Sequence, residues 1–85
     1  MMNKEQLIGK LKIIVKPYTN NPEAYENMDE GTGFIDDLRI NSANLVDIIL
    51  DIEETFDITI DNDDMERMLD VKAAIEIIEA KLAGK

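Results

Sequence analysis

The chain contains one serine, Ser42, and it stands at the start of the strongest amphipathic stretch in the sequence. A hydroxyl there lies where a helix presents unpaired backbone N–H groups and the positive end of its dipole, a setting suited to a phosphodiester. Taken alone, a serine at a helix start is most often only a cap. Other chemical equipment is scarce. There is no histidine and no cysteine, which removes the usual general bases, the strongest nucleophile and any thiolate metal site. Carboxylates abound, but no pair stands in an apolar setting that would raise a pKa, so self-contained catalysis is not expected.

Two further patterns fail on spacing. The acid-rich run from Asp57 to Asp64 suggests a calcium loop. A loop starting at Asp57 puts Asn62 at the glycine position and Met68 at the bidentate glutamate position. A loop starting at Asp61 puts Glu66 and Lys72 there. Gly31-Thr32-Gly33 follows no strand and is too short to cradle a phosphate; it reads as a turn.

Charge narrows the partners. The 85 residues carry a net charge of −10, which argues against binding a nucleic-acid backbone and favours basic partners or simple solubility. Of the nine cations, only Arg39 and Arg67 fall between Tyr18 and Val71, so the middle of the chain is almost purely acidic. Apolar residues make up 45% of the sequence, enough for one small folded domain spanning 1–85, with a core of Leu, Ile, Val, Ala and Met. No apolar run has membrane-spanning length and the charged start lacks a signal-peptide core, so a soluble cytoplasmic domain is expected; it is also expected to be a monomer.

The elements that must position Ser42 follow from periodicity. A first helix runs from about Asn3 to Val15, with Leu7, Leu11 and Ile14 on one face, Asn3 and Gln6 forming a capping pair, and Pro17 ending it. Residues 17–33 read as a long loop, anchored by Tyr18, Tyr25 and Met28, with room for a short helical turn around 23–27. Phe34, Ile35 and Leu38 then return the chain to the core. The second helix runs from Ser42 to about Phe56 with Asn41 as its cap. An extended connector over 57–61 buries Ile58 or Ile60, a short helix or turn over 61–68 contributes Met65, Met68 and Leu69, and Asp70 caps a last helix that stops at Gly84. The expected fold is all-α: a small four-helix bundle of three main helices and one short one, with a long loop between helices one and two.

The second helix has more apolar residues than one core stripe requires. Leu45, Ile49, Ile52 and Phe56 form that stripe with Ile48 beside it, whereas Val46, Leu50 and Ala43 extend the arc, edged by Asp47, Glu53 and Glu54. Periodicity leaves two readings open. Either these residues form an exposed docking strip edged by acids, or all are buried between neighbouring helices.

From Phe34 onward the chain resembles the acyl carrier proteins of fatty-acid and polyketide synthesis. The residues that carry the resemblance are Phe34-Ile35-Asp36-Asp37-Leu38, the serine four positions on, Leu45-Val46-Asp47, Ile52 to Ile60 with its Glu53-Glu54-Thr55-Phe56-Asp57 core, and the ending from Asp70 to Ile78. The resemblance implies a carrier acted on by enzymes rather than an enzyme. It implies that Ser42 receives 4′-phosphopantetheine from coenzyme A through a phosphopantetheinyl transferase, and that the arm's thiol holds acyl groups as thioesters. Positions matching family partner contacts are Ala43, Asn44, Val46, Asp47, Leu50, Glu53, Glu54 and Ile60, which would meet acyl-loading and acyl-processing enzymes through basic patches. An aminoacyl or peptidyl carrier and an unmodified acidic interaction module are the alternatives. The family's Asp-Ser-Leu is here Asn41-Ser42-Ala43, and Asn44 replaces an acid; these departures lean toward a dedicated carrier in a specialised pathway.

Overall fold

The computed structural model describes residues 3–84, and every regular element among them is a helix. Five helices follow in order: α1 (Lys4–Val15), α2 (Pro22–Glu26), α3 (Ser42–Phe56), α4 (Asn62–Arg67) and α5 (Val71–Ala83). The fold class is the expected one. The additional short helix, α2, forms inside the 17–33 loop, where Pro22 presets the first turn and the Asn21 side chain accepts the Ala24 N–H.

Each long helix starts on a side-chain cap. Asn3 and Gln6 exchange hydrogen bonds of 2.8 and 3.0 Å at the start of α1, Asn41 accepts the Ala43 N–H at 2.9 Å at α3, and Asp70 accepts the Ala73 N–H at 2.8 Å at α5. The helices differ in how they end. α3 closes on Asp57 in the left-handed region, φ 54°, with the Glu53 carbonyl accepting the N–H groups of Asp57 and Ile58. Aspartate is among the few non-glycine residues that tolerate this conformation. Gly84 closes α5 at φ −86°, so that helix stops without using glycine's left-handed freedom.

The core is aliphatic with two phenylalanines. Leu7, Leu11, Ile14 and Val15 of α1 meet Ile48, Ile49, Ile52 and Phe56 of α3 and Val71, Ala74, Ile75 and Ile78 of α5 in one cluster, which also takes in Phe34, Leu38, Ile40 and Met68. Ile58 and Ile60 are both half-buried against it, so the 57–61 connector lies on the core as an irregular segment. Two residues expected to return to the core do not. Ile35 is 41% exposed, because the turn from Gly33 to Leu38 points Phe34 and Leu38 inward and leaves Ile35 outside; Leu69 is 63% exposed.

The loop before α3 is closed by two sets of backbone contacts. On one side, Thr19, Asn20 and Asn21 cover three consecutive carbonyls: Asn21 Nδ2 donates to Asp37 O at 2.8 Å, Thr19 Oγ1 and Asn20 N donate to Leu38 O at 2.9 and 3.0 Å, and Asn20 Nδ2 donates to Arg39 O at 3.0 Å. On the other side the loop pairs with the entrance to α5. Phe34 N donates to Leu69 O, Val71 N to Thr32 O and Lys72 N to Glu30 O, around an antiparallel bridge between Gly33 and Asp70. The N–H groups of the first two α5 residues are thus satisfied by the loop that leads to Ser42.

Candidate functional site

Ser42 is the first residue of α3 and is exposed. The capping task falls to Asn41, whose side chain takes the Ala43 N–H while its carbonyl takes the Asn44 N–H at 2.8 Å. Among the described residues the Ser42 hydroxyl makes no hydrogen bond, so it is free for other use. The first turn of α3 carries no acidic residue, although the chain holds 19. An anion attached there would meet the positive end of a fifteen-residue helix with no carboxylate in that turn to oppose it.

The threonines are less well placed. Thr19 is committed to Leu38 O, and Thr32 is buried and bonded to Asp29. Thr55 and Thr59 are exposed but lie at the far end of α3 and in the connector.

On the flank of α3 beyond Ser42 the extra apolar residues are exposed rather than buried. Val46 is 50% exposed and Leu50 54% exposed, one helical turn apart, with Ala43, Asp47 and Glu54 exposed around them. They form an apolar strip edged by acids, not a second buried stripe. Leu50, Glu53, Glu54, Asp57 and Ile58 line a shallow groove at its lower end. Asn44 is half-buried at the edge, on the other side from Val46. Glu53 and Ile60 are half-buried and bonded to each other: Glu53 Oε2 accepts the Ile60 N–H at 2.7 Å.

Comparison with known proteins gives the family. Over 73 residues the chain is 45% identical to an acyl carrier protein of Desulforapulum autotrophicum, covering 86% of this chain and 94% of the relative. It is 32% identical over 82 residues to one from Thermotoga maritima, covering 96% and 99%, and 31% identical over 81 residues to one from Petrotoga mobilis, covering 95% and 93%. The chain belongs to the acyl carrier protein family. No protein-family model matches it. No described helix is long and apolar enough to cross a membrane.

Several features of this acyl carrier family member have no periodic signature in its sequence. Asp64 is 6% exposed, and its carboxylate pairs with Arg67 at 2.6 Å and with Lys81 of α5 at 2.9 Å. The Lys81 ammonium, with help from Arg67, holds the Asp64 carboxyl below the usual range despite its burial, and Asp64 in turn raises Lys81. Tyr18 is half-buried; its burial, and then the nearby carboxylates of Asp51 and Asp47, push its hydroxyl up. Lys12 reaches α2, with its ammonium 5.0 Å from the Tyr25 ring centre and 3.5 Å from Glu26 O.

Proposed function

We propose that this protein carries acyl intermediates as thioesters on a 4′-phosphopantetheine arm attached to Ser42 Oγ and derived from coenzyme A. The observation that carries this reading is the free, exposed hydroxyl at the first position of α3, beside a cap that does not need it. When bound, the arm supplies the thiol that a chain without cysteine lacks. The protein's own part is to present the hydroxyl to a transferase and to hold the resulting phosphodiester at a helix N-terminus without an opposing carboxylate in the first turn.

The protein acts as a substrate of partner enzymes. Their basic surfaces would meet Val46 and Leu50 as apolar contacts, with Asp47 and Glu54 supplying attraction and register. Ala43 and Asn44 lie beside the serine, while Glu53 and Ile60 shape the lower edge. Intact mass after incubation with coenzyme A and a phosphopantetheinyl transferase tests the proposal. A gain of one phosphopantetheine that disappears in Ser42→Ala supports it. An unchanged mass with an active transferase would leave the bundle as an unmodified interaction module.

A further inference from the structure

Arg39 is the one cation in the long acidic stretch that leads into α3, and its backbone lies in the left-handed region at φ 55°. Arginine has no advantage there. Its Cβ makes the conformation unfavourable, and glycine would adopt it freely. The strain is held in place from outside the segment: Asn20 Nδ2 fixes the Arg39 carbonyl, Thr19 and Asn20 fix that of Leu38, and Asn21 fixes that of Asp37. The side chain is exposed, and among the described residues it makes no ion pair, in a chain with 19 carboxylates. Backbone geometry limits the distance from Arg39 to Ser42, three residues on, to about 11 Å between Cα atoms. That limit is close to one Debye length at 0.1 M salt, about 10 Å, and falls inside it at lower salt, so at low ionic strength the charge acts on whatever approaches the serine.

We infer that Arg39 is a specificity-determining residue for partner enzymes that reach Ser42. This rests on the reading of Ser42 as the attachment site. Asp47 and Glu54 attract a basic surface, while Arg39, on the approach to Ser42, repels one that is basic throughout. The partners that fit best carry a basic patch facing α3 and an acidic or neutral group facing Arg39. A transferase whose acceptor cleft is uniformly basic is disfavoured in its association step.

The test uses coenzyme A and a broad-specificity phosphopantetheinyl transferase with a basic acceptor cleft, following the rate of mass gain at low and high salt. Arg39→Gln removes the charge and keeps a side chain in the strained position. Arg39→Gly removes charge and strain together. Arg39→Glu reverses the charge, and Arg39→Lys keeps it. Modification is expected to be roughly threefold to tenfold faster in Arg39→Glu than in the natural chain at low salt, with Arg39→Gln and Arg39→Gly between them and Arg39→Lys unchanged. High salt should shrink the differences. Equal rates across all five proteins would overturn the inference while leaving Ser42 as the attachment site. A rise in Arg39→Gly alone would also overturn it, since relief of the backbone would then be the cause. Modification of none of them would remove the Ser42 reading and this inference together.

Discussion

Glu53 Oε2 accepts the backbone N–H of Ile60 at 2.7 Å, tying the last turn of α3 to the connector that follows it. The same glutamate receives two N–H groups on its main-chain carbonyl at the helix end. Its carboxylate therefore serves the fold first, and the charge it offers a partner is already partly used. Glu53→Ala leaves the Ile60 N–H without its acceptor and should cost about 1 kcal/mol, lowering the melting midpoint by about 4–8 °C. Glu53→Gln keeps an acceptor oxygen and should recover most of that loss. Thermal melts followed by circular dichroism distinguish the two.

Ser42→Ala and Asn41→Ala should separate chemistry from capping. The serine variant is expected to melt within a degree or two of the natural chain and to gain no mass with transferase and coenzyme A. The asparagine variant loses the bond to the Ala43 N–H and should be destabilised by about 1 kcal/mol, while still accepting the arm. Melting curves and intact mass on the same samples read both effects.

Charge reversal on α3 tests the docking face. Asp47→Lys with Glu54→Lys should slow arm transfer by roughly tenfold or more at low salt, mainly through association, and leave helicity intact because both side chains are exposed. Glu23→Lys with Glu26→Lys makes the same net change on α2 and should have a much smaller effect. Equal losses in the two double variants would mean that only total charge matters.

The Asp64–Lys81 pair predicts the shape of the pH profile. Asp64 is held below its ordinary value of 3.8, so its contribution to stability is complete above that value and is lost as pH falls through the depressed one. Lys81 is raised above 10.5, so its contribution is complete below that value and is lost as pH rises through the raised one. The pair should give no slope between about pH 5 and 9. Asp64→Asn should flatten the acid limb relative to the natural chain. Urea midpoints measured across pH 2–7 would show it, and an unchanged acid limb would mean that other carboxylates govern acid unfolding.

The helices and their caps were legible in the sequence because they are local. Leu7, Leu11 and Ile14 recur at helical spacing, and Asn3, Asn41 and Asp70 stand one residue before their helices. The exposure of Val46 and Leu50 was not decided by periodicity, since an apolar arc alone does not say which neighbours cover it. The order in residues 17–33 was hidden for another reason. Thr19, Asn20 and Asn21 read as turn formers, yet they act on carbonyls 16 to 19 residues away, a pairing without a repeat to reveal it. The burial of Asp64 was equally invisible, because it depends on a lysine seventeen residues later.

The pairing of residues 30–34 with 69–72 joins the approach to Ser42 to the entrance of α5. Segments joined in this way are expected to open and close together, sharing one opening free energy. Local unfolding at the C-terminal helix would therefore release the loop that leads to the serine, however well α3 itself is held. In hydrogen exchange, the amides of Phe34, Val71 and Lys72 should share one protection level. The durability of the region around Ser42 is thus set partly by residues 69–72, far along the chain.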